Sequence, residues 1–177
     1  LERVKAALEE GAKAITMVHN ETSVGIVNPA KEVGKLARKY DAVFIVDGIS
    51  SVGGNEFLTD EWGVDIAITG SQKCLAVPPG LAMVAVSERA MDLLEEGKGG
   101  YYTDLKAHLK KAKKNQTPYT PAVSLFFALQ EALTIASEEG FPERRARMAG
   151  LAGGVRAAAS SLGIELFPQV NEHTTYS

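Results

Sequence analysis

Short, continuous apolar runs alternate with helix-period patterns along the first half of the chain. It opens in a helical pattern, with Leu1, Val4, Ala7 and Leu8 on one face. The first apolar run is AITMVH (residues 14–19). Asn28-Pro29 then starts a second helical pattern that reaches Tyr40, with Pro29 suited to the first helical position. The second run, AVFIVD (42–47), leads into the Gly- and Ser-rich connection GISSVGGNE and a short helical turn near Asp60 to Trp62. The third run is DIAITG (65–70) and the fourth GLAMVAVSE (80–88).

The first three runs do not alternate in polarity. Such runs mark strands covered on both faces by helices, and hence a parallel sheet in an α/β fold. The fourth run follows the third after about ten residues, too few for a helical crossover. It is therefore expected to run antiparallel to its neighbour. Beyond Ser87 the pattern is helical over 88–96 and 104–113. A long helix is expected over 122–139, ending at Gly140, and another over 142–161, ending near Gly163. A further strand is expected at Ile164-Glu165-Leu166-Phe167, where a second, small domain would begin. The domain reading is thus 1–140 for a large domain, and 141–177 for an interdomain helix and the start of a small C-terminal domain. The chain starts inside a helical pattern and stops at NEHTTYS just after an apolar segment, so a longer protein is expected.

Composition narrows the class. The 177 residues suffice for one domain with a real core, and 45% hydrophobic with 23% charged residues is ordinary for a globular protein. A net charge of −3 gives no field to draw nucleic acid or an anionic membrane surface. Lys106, Lys110, Lys111, Lys113 and Lys114 form a mild cluster, read as a solvated helix face. One cysteine, Cys74, rules out an internal disulfide and a cysteine-built zinc site, and fits a reducing compartment. No apolar run is long enough to span a bilayer.

Ligands of parallel α/β sheets bind beyond the carboxyl ends of the strands. The first run ends at His19-Asn20-Glu21-Thr22-Ser23, the second at Asp47, and the third at Ser71-Gln72-Lys73. Hydroxyls, a carboxylate and a lysine on one rim suit pyridoxal phosphate (PLP). That cofactor needs a lysine amine for a Schiff base, favoured as the neutral amine by apolar surroundings. It also needs a carboxylate facing the pyridine nitrogen. Each residue has a plainer reading too. A strand-end Asp caps turns, a loop Lys is usually solvated, and Thr22 with Ser23 could merely form a turn. His19 reads as a core histidine, Cys74 as a small buried residue, and Trp62 as packing.

Three segments carry a resemblance: VHNETSVGIVNP, VFIVDGISSVGG and DIAITGSQKCLAVPPGLAMVAVSERA. Their order and spacing resemble class V aminotransferases of PLP fold type I, and GSQKCLAVPPG is specific. The nearest branch resembles the alanine–glyoxylate and serine–pyruvate aminotransferases, over about residues 1–167. The resemblance implies a large domain with a mostly parallel sheet flanked by helices. It makes Lys73 the Schiff-base lysine and proton shuttle, and Asp47 the pyridinium partner. Thr22 would bond the phenolic oxygen, and Gln72, with Ser71 beside it, the phosphate. TPYTPAVS resembles a loop that completes the partner subunit's phosphate pocket, with Thr120 foremost and Tyr119 and Thr117 behind it. Thr120 could equally cap the following helix.

A cytoplasmic homodimer with a shared cofactor pocket, and no metal, is implied. Transamination between a small amino acid (alanine or serine type) and a 2-oxo acid (glyoxylate or pyruvate type) is the implied reaction. A cysteine desulfurase or lyase on the same fold is the alternative. Those relatives usually carry His directly before the lysine, where Gln72 stands here, and need a mobile catalytic cysteine. A nucleotide-binding reading fails, because HNETSVG lacks the glycine fingerprint. The family's N-terminal phosphate loop with its stacking aromatic, and its substrate-carboxylate arginine, are not identifiable in this stretch. Weak cofactor binding and little turnover are therefore expected of these residues by themselves.

Overall fold

The computed structural model describes residues 1–95 and 98–168. Helix α1 (Glu2–Glu9) leads to strand β1 (Ala14–Val18) and a small antiparallel pair, β2 (Asn20–Glu21) and β3 (Ile26–Val27). Helix α2 (Ala30–Lys39), β4 (Val43–Asp47), the single turn α3 (Thr59–Trp62) and β5 (Ile66–Gly70) follow. Then come β6 (Ala82–Val86), α4 (Glu88–Leu93), α5 (Leu105–Ala112), α6 (Val123–Glu139) and α7 (Phe141–Ser161).

The main sheet has the order β1-β4-β5-β6. β1, β4 and β5 are parallel, whereas β6 pairs antiparallel with β5, as its short connection predicts. Capping residues fix several helix starts. Ser87 Oγ accepts from Ala90 N at 3.1 Å ahead of α4, and Asp104 Oδ1 accepts from Ala107 N at 3.0 Å ahead of α5. Pro29 stands one position before α2, as its N-cap.

The core lies between the sheet and α2. Ala30, Val33 and Ala37 of α2 meet Phe44 and Val46 of β4, with Trp62, Val64 and Ala67 closing the cluster. Gly34 lets α2 approach α3, since a Cβ there would lie 1.7 Å from the Trp62 carbonyl oxygen. The unbroken apolar runs predict burial on both faces of the strands. In the chain, Phe44 and Val46 are buried while Val43 and Ile45, on the other face of β4, are half-buried.

The expected strand at 164–167 does not form. Strand backbone needs a partner for its N–H and C=O groups. Here Ile164 N instead returns to Ala159 O at 3.0 Å, and Ile164 and Phe167 are exposed. The terminal NEHTTYS, and with it the rest of the expected small-domain start, lies outside the described residues. No helix among the described residues is long and apolar enough to cross a membrane.

Candidate active site

Three adjacent parallel strands deliver three loops to one rim. In register, Val18 of β1 and Ile68 of β5 flank Asp47 of β4. The main chain continues this ladder past the strand ends: His19 N donates to Asp47 O and Gly48 N to Ile68 O, both at 2.8 Å. Asp47 is thus placed on the central strand, at its carboxyl end, and is half-buried. Its Oδ1 accepts from Ile49 N at 2.9 Å, which fixes the carboxylate. This is the turn-capping bond open to any strand-end Asp, and it leaves Oδ2 for a second partner.

The loop after β4 reaches both neighbouring loops through one residue, Ser50. Its hydroxyl lies 2.6 Å from that of Thr22. Its carbonyl accepts from Asn20 Nδ2 at 2.9 Å and from Cys74 Sγ at 3.5 Å. The β1, β4 and β5 loops therefore meet at Ser50. Either hydroxyl can donate to the other, so Ser50 can orient the Thr22 hydroxyl. Ser23 forms a local turn, its N and Oγ donating to Glu21 Oε1 at 3.0 and 2.6 Å.

The Lys73 loop is a closed turn. Ser71 is fully buried, and Ser71 Oγ donates to Pro78 O at 2.8 Å and accepts from Leu81 N at 3.2 Å. Its one proton goes to the loop, so the side chain closes the loop and has no proton to give a phosphate. Ala76 N donates to Lys73 O at 2.9 Å, and Val77 N to Ser71 O at 3.0 Å. Ala76 holds φ 58°, a left-handed conformation that a non-glycine residue keeps only when its surroundings impose it. Gln72 and Lys73 stand on the exposed side of this loop, whereas Ser71 and Val77 are buried. The apolar flanks predict an enclosed Lys73; in the chain they belong to the strands, and the amine projects from the rim. Cys74 is half-buried. Gly70 leaves room for Gln72 to fold back on the strand end, since a Cβ there would lie 3.0 Å from Gln72 Oε1.

Thr120 is exposed ahead of α6, and among the described residues no hydrogen bond joins it to Asp47, Lys73 or Thr22. Its neighbour Tyr119 stacks on Tyr102 and packs against Tyr101, each at 5.0 Å between ring centroids. Tyr119 O accepts from Thr117 Oγ1 at 2.7 Å. His19 lies beneath the rim, 2% exposed, edge-on to Phe57 at 5.2 Å and to Trp62 at 5.4 Å. Desolvation lowers its pKa to about 4, so the ring is neutral near pH 7 and belongs to the core. Trp62 is likewise core. Sequence reasoning passed over Ser50. Its only signal was a place between a strand-end Asp and a Gly pair.

The donor set fits PLP. A fixed carboxylate with an open oxygen, a lysine in the loop after the next parallel strand and a hydroxyl pair bridging the loops after β1 and β4 share one rim.

Comparison with known proteins points to aminotransferases. The family model described as aminotransferase class-V matches residues 1–172. An aminotransferase of Methanocaldococcus jannaschii is 48% identical over 171 residues, 94% of this chain and 44% of its own length. The serine–glyoxylate aminotransferase of Arabidopsis thaliana is 39% identical over 164 residues, 90% of this chain and 41% of its own length. Among solved structures, an alanine–glyoxylate aminotransferase from Nostoc sp. matches with a TM-score of 0.91 at 29% identity, covering 100% of this chain and 48% of that one. The chain spans less than half the length of these relatives. On the family match along nearly its whole length, this chain belongs to the class-V aminotransferases.

Proposed function

We propose that this chain carries the lysine-bearing part of a PLP-dependent aminotransferase. The reaction moves an amino group between a small amino acid of the alanine or serine type and a 2-oxo acid of the glyoxylate or pyruvate type. The observation that carries this reading is the meeting of three strand-end loops at Ser50, which sets Asp47, Thr22 and Lys73 on one rim. The names of the relatives supply the substrate class.

Bound at this rim, the cofactor supplies an electron-accepting ring and a carbon to which amines attach reversibly. Asp47 would hold a proton on the ring nitrogen. Thr22, oriented by Ser50, would donate to the phenolic oxygen. Lys73 would anchor the cofactor, then take a proton from the substrate's α-carbon and return it elsewhere on the conjugated system. Gln72 would offer its amide to the phosphate. Ser71 keeps the loop closed around them. Thr120 would act on the partner subunit's phosphate pocket, in a homodimer. Residues 1–140 would form the cofactor-binding large domain and 141–177 the passage to a small one. A cytoplasmic setting goes with the lone cysteine.

Half-reaction spectroscopy tests this reading. Full-length protein mixed with PLP should gain a visible band that borohydride bleaches, with the adduct mapped to Lys73 by mass spectrometry. Alanine or serine should convert the band, and glyoxylate or pyruvate should restore it. Lys73→Ala should show neither change. A wild-type protein with no Lys73-borne band would end the proposal.

A further inference from the structure

Arg144 sits in the first turn of α7, yet its side chain reaches into the gap between two loops of the site. It is 13% exposed. Nε donates to Gly53 O at 3.1 Å and Nη2 to Cys74 O at 2.7 Å. Nη1 faces Glu139 Oε2 at 3.4 Å. Nε and Nη2 form one edge of the planar guanidinium, so a single fork holds a carbonyl from each loop. One carbonyl lies in the connection after Asp47. The other belongs to the residue that follows Lys73.

The two loops need such a brace. Ala76 has φ 58°, so the Lys73 turn is locally unfavourable and persists only when held from outside, while Gly53, at φ 90°, turns the Asp47 loop freely and has no side chain to fix it there. They also touch directly: a Cβ at Gly53 would lie 3.0 Å from Leu75 Cδ2 and 3.6 Å from Cys74 O. Partly buried carbonyls here call for a donor, and a charged one gives the stronger bond. The joint that aims Arg144 is Gly140. It has φ 87°, and a Cβ there would lie 2.1 Å from Glu143 Oε2. Glu139, at the end of α6, then steadies both Arg144 and Arg147, the latter through Oε1 at 2.5 Å and Oε2 at 2.9 Å.

We infer that Arg144 is a positioning residue for Lys73: its guanidinium fixes the Lys73 loop against the Asp47 loop and ties both to the start of α7. Its relevance to catalysis rests on the reading of Lys73 given above. The clamp itself does not.

The test compares Arg144→Met and Arg144→Lys with Arg147→Met, which removes a Glu139 partner without touching either loop. In full-length protein without cofactor, amide exchange is read at Ala76 and Val77, whose N–H groups bond Lys73 O and Ser71 O. Arg144→Met should speed exchange there by about 10- to 100-fold, the range for a lost charge-assisted hydrogen bond. Arg144→Lys should lie between Met and wild type, because an ammonium cannot span both carbonyls. Arg147→Met should match wild type at these amides. With PLP, Arg144→Met should lower the amino-acid half-reaction rate by about 10- to 100-fold and move the pH midpoint of the Lys73-borne band, with Lys restoring part of both. Unchanged exchange at Ala76 and Val77 overturns the clamp, as does an equal effect from Arg147→Met or uniform acceleration along the whole chain. If exchange responds but wild type carries no band on Lys73, the clamp stands and the aminotransferase reading falls.

Discussion

The hydroxyl oxygens of Thr22 and Ser50 lie 2.6 Å apart, joining the loop after β1 to the loop after β4. Either can donate to the other, so each hydroxyl orients its partner at the rim. Thr22→Val removes one oxygen at nearly constant shape. Ser50→Ala removes the other and keeps the Ser50 carbonyl that holds Asn20 and Cys74. Each change should weaken PLP binding by about 3- to 10-fold, the worth of one hydrogen bond. An absorbance titration measures it, and wild-type affinity in both variants refutes the role.

Gly34 of α2 packs directly against the Trp62 backbone of α3. A Cβ on Gly34 would lie 1.7 Å from Trp62 O and 2.9 Å from Trp62 C, both backbone atoms that no rotamer change can move. Gly34→Ala gains about 1 kcal/mol of helix propensity. It must also part α2 from α3, at a cost of about 3 kcal/mol or more. The net loss of about 2 kcal/mol should lower Tm by about 4 to 8 °C for a chain of this size. Scanning calorimetry decides, and a Tm at or above wild type contradicts the packing described here.

Asp47 and Lys73 were legible because apolar runs mark strands, and parallel strands bring successive carboxyl ends to one rim. Ser50 was not legible. Its importance lies in a carbonyl and a hydroxyl facing two other loops, and any residue type supplies the carbonyl. Arg144 was hidden in the charged stretch PERRAR, where helical periodicity suggests a solvated face. Ser71 shows the opposite limit: a hydroxyl beside a lysine reads as a ligand, whereas here it donates to Pro78 O within its own loop. Ile164 to Phe167 had strand composition, but pairing is a property of neighbours, not of composition.

His19 makes the fold sensitive to mild acid. Burial lowers its pKa from 6.5 to about 4, and its Nδ1 has no hydrogen-bond partner among the described residues. Between those two values the unfolded chain binds the proton and the folded chain does not. Stability is therefore whole above pH 6.5 and falls as pH drops toward 4. The loss amounts to about 3 kcal/mol at most. His19→Phe keeps an aromatic ring between Phe57 and Trp62 and removes the titration. Urea unfolding at a series of pH values should show the wild-type slope in that window flattened in the variant. Parallel curves for the two proteins would refute the assignment.

Asp65 and Arg89 close the opposite end of the sheet. The Asp65 carboxylate accepts from Phe44 N and Arg89 Nη2, both at 2.9 Å, from Ser87 Oγ at 3.0 Å and from Arg89 Nε at 3.3 Å. Arg89 also donates to Ala42 O at 2.7 Å and to Asp41. One carboxylate thus joins the starts of β4 and β5 to the end of β6 and the start of α4. Burial opposes its ionisation, but the bonds from Arg89, Phe44 and Ser87, helped by the guanidinium charge, hold its pKa below the usual Asp value. A depressed carboxylate stabilises above its unfolded pKa and loses that effect as pH falls through the folded one. Asp65→Asn should cost about 2 kcal/mol at neutral pH, the scale of hydrogen bonds to a charged group. The difference from wild type should begin to shrink below about pH 4, where the unfolded chain's carboxyl gains its proton, and close only below the lower pKa of the folded state. Arg89→Met leaves two donors on Asp65, so its cost should be smaller, and the double variant should fall short of the sum. Strict additivity would show that the two side chains act apart, and that the sheet end is held by backbone pairing alone.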